Sequence, residues 1–116
     1  MVVEDEQRMR DFTVEALREL GYTVVHADGG VGALAMVEGG QAMNLLLTDI
    51  VMPEMTGRQL ADQVATVLPQ TKVIYMTGYT RNAVVHNGVI DPGTNFLPKP
   101  FGIDQLAILV RRVLDS

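Results

Sequence analysis

Asp49 is the residue around which chemistry could be built. It ends the run Leu45-Leu46-Leu47-Thr48-Asp49 and is followed by Ile50-Val51-Met52-Pro53-Glu54-Met55-Thr56-Gly57. Three leucines in succession fit a strand covered on both faces, as in a parallel sheet flanked by helices. Pro53 ends the extended run, and Gly57 lies a turn further on, near the start of a helix. In open α/β sheets chemistry sits at the carboxyl ends of strands, which is where Asp49 would offer a nucleophile or a metal ligand. A single Asp there also caps a turn, so its meaning depends on its company. Three further strand ends carry polar groups: Glu4-Asp5 after Val2-Val3, Thr77 after Met76, and Lys99 after Asn95-Phe96-Leu97-Pro98. Taken singly, these fit an acidic helix start, a hydroxyl turn and a solvated lysine. Taken together, they ask for a common site.

The elements that must position them follow from periodicity. Met1-Val2-Val3 is a short apolar strand. From Gln7 to Leu20, Met9, Phe12, Thr13, Ala16, Leu17 and Leu20 fall on one helical face, with Gly21 as the residue after the helix. Thr23 to Ala27 reads as a second, β-branched strand, and Asp28 is placed to cap the next helix. Ala33, Leu34 and Val37 form that helix's buried stripe, and Gly39-Gly40 stops it. The Leu45 to Asp49 strand is followed by a helix with Leu60, Ala61, Val64, Val67 and Leu68 inward, ended by Pro69. Lys72 to Thr77 is the fourth strand, Thr80 to Asn87 a short helix stopped by Gly88, and Val89 to Gly93 a turn. Asn95 to Leu97 is the fifth strand, and Ile103, Leu106, Ala107, Val110, Val113 and Leu114 mark a last helix. Five β-then-α units with short connections and right-handed crossovers require one doubly wound α/β domain over 1–116. In the strand order 2-1-3-4-5, strands 1, 3, 4 and 5 bring their polar ends to one edge, while strand 2 ends in Ala27 and brings none.

Composition removes other classes. A chain of 116 residues, 47% of them apolar, is one domain with a core. It has no cysteine, hence no disulfide or Cys metal site. No apolar run reaches the ~20 residues of a membrane helix, and Met1-Val2-Val3 meets acid at once, unlike a signal peptide, so a cytoplasmic protein without membrane contact is expected. A formal charge of −5 and a pI near 4.8 argue against direct nucleic-acid binding.

The joint chemistry is specific. Carboxylates held close repel one another, and a hard cation relieves this. Oxygen ligands without His or Cys select Mg²⁺ or Ca²⁺, and Mg²⁺ suits few protein ligands, several waters and a phosphate. Lys99 adds a positive charge and Thr77 a hydroxyl, as a phosphoryl group in transfer needs. The remaining carboxylate, Asp49, is free to be the nucleophile.

With these residues the chain resembles the receiver domain of two-component response regulators, whose fold is flavodoxin-like with five βα units. The resemblance spans essentially the whole chain: Glu4-Asp5, Asp49 with Met52-Pro53 and Gly57, Thr77-Gly78 and Lys99-Pro100-Phe101. It implies phosphoryl transfer from a phosphohistidine to Asp49, with self-catalysed phosphorylation and dephosphorylation in a domain that is mainly a signalling device. It implies Mg²⁺ held by Asp5, Asp49 and the Val51 backbone carbonyl, with Glu4 acting through water. Lys99 would pair with the phosphoryl group and Thr77 would hydrogen-bond it. Phe96 would be the aromatic switch, Lys99-Pro100 a cis peptide, and Val51 and Tyr79 the residues that tune phosphoryl lifetime. The switched face would combine the Thr80 to Asn87 helix, the fifth strand and the last helix. The implied partner is a histidine kinase or histidine phosphotransfer domain, and the domain would be a monomer or weak dimer.

Departures refine this. Glu4 stands where Asp is commoner, Phe96 lacks a tyrosine hydroxyl, and Asn95 stands where dimerising DNA-binding members often carry Asp. The run His86 to Gly93 ahead of Phe96 to Phe101 is similar to receivers of hybrid sensor histidine kinases. A stand-alone response regulator or phosphate sink is the alternative. A Mg²⁺-dependent phosphatase of the haloacid dehalogenase type is more remote, because it would need an Asp at the position of Val51.

Overall fold

The computed structural model describes residues 1–78 and 95–116. Their order is β1 (Val2–Val3), α1 (Gln7–Glu19), β2 (His26–Ala27), α2 (Gly30–Glu38), β3 (Leu45–Asp49), α3 (Gly57–Val67), β4 (Lys72–Thr77), β5 (Asn95–Pro98) and a last helix, α4 (Ile103–Asp115). The strands form one parallel sheet in the order β2-β1-β3-β4-β5, the flavodoxin-like order expected. Four helices are described. The expected Thr80 to Asn87 helix, the Val89 to Gly93 turn and Tyr79 lie outside the described residues.

Alternation along the strands divides the core. Val2, Leu47, Ile74, Met76 and Leu97 face α1 and α4 on one side of the sheet. Val3, Leu46 and Tyr75 face α2 and α3 on the other. Register then aligns the strand ends: Val3 pairs with Thr48, Asp49 with Met76, and Thr77 with Pro98. Glu4, Asp49, Thr77 and Lys99 therefore emerge at one edge.

Several local expectations change. β2 has two residues, not the five from Thr23, because β1 offers only Val2 and Val3 as ladder partners. The line continues without strand geometry, with Val24 buried and the Val25 carbonyl accepting from the Val2 amide at 2.9 Å. On α1 the buried set is Thr13, Val14, Ala16 and Leu17. Phe12 and Leu20 are exposed, Phe12 at the helix margin with its ring 6.0 Å from that of Phe101. Val67 and Ile103 are exposed at helix ends, and Leu109 is buried instead. Asp28 caps nothing: the N-cap of α2 is Gly29, one residue later, without a side-chain bond. Gly21 does follow α1 in the left-handed region, at φ 97°.

α3 is the helix that meets the Asp49 strand end. Thr56 and Gln59 close a capping box at its start. The Gly57 amide donates to the Ile50 carbonyl at 2.8 Å, drawing the helix onto the turn after β3. A Cβ at Gly57 would run into the Asp49 carbonyl oxygen, which is backbone and cannot swing aside. Gly57→Ala should therefore destabilise by about 1–3 kcal/mol, outweighing the ~1 kcal/mol that alanine gains in helix propensity. A urea-unfolding midpoint at or above wild type would show that the turn has room to spare.

Candidate functional site

Lys99 follows the edge strand β5, yet its Nζ reaches past β4 and β3 to the end of β1. It donates to both carboxylate oxygens of Glu4, at 2.9 and 3.1 Å, and contacts Asp49 Oδ1. Glu4 is 1% exposed and Asp49 5%, so two carboxylates are almost fully out of water. Asp5, one residue on in the β1–α1 turn, is exposed. One oxygen from each of Glu4, Asp5 and Asp49 lies within 4.8 Å of the other two.

Burial raises the pKa of Asp49, and the hydrogen bond and charge of Lys99 offset part of that rise. The buried carboxylate loses hydration, and one shared ammonium replaces it incompletely. Asp5 carries a third charge to the same place.

The other expected residues fall around this centre. Thr77 is buried at the end of β4, and its carbonyl accepts from the Lys99 amide at 2.6 Å. Val51 turns its side chain to solvent, so its main chain is what it can offer the site. Phe96 is half-buried on β5, with its ring 6.0 Å from that of Tyr75. The Lys99-Pro100 peptide is cis. A small, hard divalent cation fits the donor set. Among the described residues only carboxylate oxygens converge as ligands, the chain has no cysteine, and His26 is exposed on β2, whose end stays out of the cluster. Asp5 and Asp49 are the direct candidates, because both Glu4 oxygens already accept from Lys99.

Two residues here escaped sequence reasoning. The Arg10 guanidinium donates to the Glu4 carbonyl at 2.9 Å and ties α1 to the turn bearing the acids. A cation in a first helical turn, against the macrodipole, was the available signal. Thr48 is fully buried, and its hydroxyl donates to the Asp49 carbonyl at 3.0 Å. The signal was a polar residue inside an apolar run.

The raised Asp49 pKa fixes a sign. Between the ordinary carboxylate value and the raised one, the folded chain holds more protons than the unfolded chain. Ionised Asp49 therefore lowers stability as pH rises, and protonation restores it. Without divalent metal near pH 7, Asp49→Asn should raise stability by on the order of 1 kcal/mol, about 4 °C in Tm. The advantage should shrink as pH falls into the carboxylate range. Melting curves in chelator showing a constant or negative difference would contradict this.

A family model described as the response regulator receiver domain matches residues 1–111. The sensor kinase CckA of Brucella abortus is 40% identical over 118 aligned residues, which cover all of this chain and 12% of that protein. The response regulator receiver protein CpdR of the same organism is 35% identical over 98% of this chain and 94% of its own length. Among solved structures, the receiver domain from the hybrid histidine kinase CckA matches with a TM-score of 0.80 at 32% identity, over 97% of this chain and 95% of that one. A receiver protein from Sinorhizobium medicae matches with a TM-score of 0.86 at 27% identity, over 99% and 92%. A match of this extent, running through every strand end that feeds the acidic cluster, makes the chain a member of the response regulator receiver domain family of two-component signalling.

Proposed function

We propose that residues 1–116 act as one phosphoacceptor domain, taking a phosphoryl group from a phosphohistidine onto Asp49. The observation that carries this is the Lys99 ammonium set between Glu4 and Asp49, with Asp5 beside them. In the transfer, an Asp49 oxygen bonds to phosphorus while the donor's P–N bond breaks. The departing imidazole, already protonated on its other nitrogen, leaves neutral. Lys99 keeps a fixed positive charge beside the incoming oxygens, and Glu4 holds that lysine in place. Thr77 supplies a hydroxyl to the phosphoryl group at the end of the neighbouring strand. Asp5, Asp49 and the Val51 carbonyl would hold Mg²⁺, with Glu4 reaching it through water. When bound, Mg²⁺ supplies charge neutralisation for the phosphoryl oxygens.

The output reading is a population shift. Thr77 is drawn to the phosphoryl group, and Phe96 leaves its place beside Tyr75 for the space vacated. The face of β5 and α4 changes for a helical kinase or phosphotransfer partner. The 40% identity to CckA supports a place within a hybrid histidine kinase. The domain would be cytoplasmic and a monomer or weak dimer, and its net charge of −5 supports the absence of nucleic-acid contact. A second reading, a stand-alone regulator, is supported by CpdR, 94% of which this chain spans. No helix among the described residues is long and apolar enough to cross a membrane.

With Mg²⁺ and acetyl phosphate, one acid-stable, base-labile phosphoryl group should form, and Asp49→Asn should abolish it. Asp5→Ala should weaken Mg²⁺ binding by about 10-fold or more, as loss of a ligand does. Undiminished affinity by calorimetry would remove Asp5 from the site. Adding beryllofluoride with Mg²⁺ should shift the NMR resonances of Phe96 and Tyr75 together. Changes confined to the loops around Asp49 would make this a phosphate sink without a switch.

A further inference from the structure

We infer that Thr48 is a positioning residue for the phosphoacceptor, acting through the peptide that follows Asp49. The inference rests on the reading of Asp49 as the acceptor.

Thr48 is 0% exposed and follows the buried Leu46 and Leu47. Leucine or valine would serve the core there without a buried hydroxyl to satisfy. The hydroxyl lies 3.0 Å from the Asp49 carbonyl oxygen and 3.9 Å from Met52 Sδ. It has one proton, and the carbonyl is the better acceptor, so the sulfur contact is packing. The Asp49 carbonyl points at the start of α3, where only the missing side chain of Gly57 leaves it room. The other end of the same peptide, the Ile50 amide, donates to the Met76 carbonyl at 3.3 Å. The peptide plane after the nucleophile is thus held at both ends, by β4 on one side and by Thr48 on the other. Met52, packed against the same hydroxyl, lies just beyond Val51. Thr48 therefore spans the segment that carries both the Asp49 side chain and the Val51 carbonyl. Being neutral, it acts on their geometry without changing the charge of the cluster.

The test uses Thr48→Val, which keeps the shape and loses the donor, and Thr48→Ser, which keeps the donor. Thermal midpoint, Mg²⁺ affinity by calorimetry, and phosphorylation rate by acetyl phosphate at saturating Mg²⁺ are measured on each. Thr48→Val should bind Mg²⁺ about tenfold more weakly and react about tenfold more slowly, the size of effect that orienting groups outside the direct ligand shell show. Thr48→Ser should stay within about twofold of wild type on both, because the hydroxyl remains. Thr48→Cys, with a weaker donor of similar size, carries the same comparison if the valine variant does not fold. A valine variant that loses only thermal stability would overturn the inference, as would serine matching valine, since the methyl group would then be what matters. A wild-type chain that neither binds Mg²⁺ nor accepts a phosphoryl group would overturn the reading of Asp49, and this inference with it.

Discussion

The structure is organised around one ammonium shared by two buried carboxylates. Lys99 contacts Glu4 and Asp49, both nearly out of water, while Asp5 adds charge at the rim. Three acids and one base leave the cluster with excess negative charge. A buried charge with half a partner costs stability, and the raised pKa of Asp49 records that cost. A site neutralised by its own side chains would have little reason to bind a cation. The excess negative charge left here is a tension that a hard cation would relieve.

The sheet makes the tension possible. Parallel strands in the order β2-β1-β3-β4-β5 send their carboxyl ends the same way. Helices α1 and α4 on one face and α2 and α3 on the other hold those ends rigidly. Residues flanking the acids then hold the backbone that carries them. Arg10 ties down the Glu4 carbonyl, and Gly57 admits the Asp49 carbonyl. Backbone held in this way keeps like charges close, against their repulsion.

Much of this was legible in the sequence. Leu45 to Asp49 is a leucine run and Lys72 to Thr77 an apolar, β-branched one, each bounded by turn residues, and both strands have the expected limits. The acids, Thr77 and Lys99 stand at strand ends, so topology alone brings them together. What periodicity could not show was which side of a helix margin is covered. Phe12 and Val14 compete for the buried face of α1, and the position of Phe101, far along the chain, lets Phe12 remain at the rim. Leu109 is buried for a similar reason, since helix orientation against the sheet is a tertiary property. Asp28 failed as a cap by one residue, the scale at which helix starts are decided by backbone dihedral angles. The Lys99 contact with both Glu4 oxygens depends on side-chain reach across two strands, which no spacing rule encodes.

That reach spans 95 positions in sequence, from nearly the first strand residue to just past the last. Closing so long a loop costs chain entropy that the contact must repay. A growing polypeptide carries its acids long before it carries the lysine that answers them. Lys99 follows β5, so Asp49 gains this counter-charge only when β5 lies against β4. The pairing of charges at the strand ends is thus tied to completion of the fold. A partly folded chain lacks the ammonium that joins the end of its first strand to the end of its last, and only the finished fold holds it there.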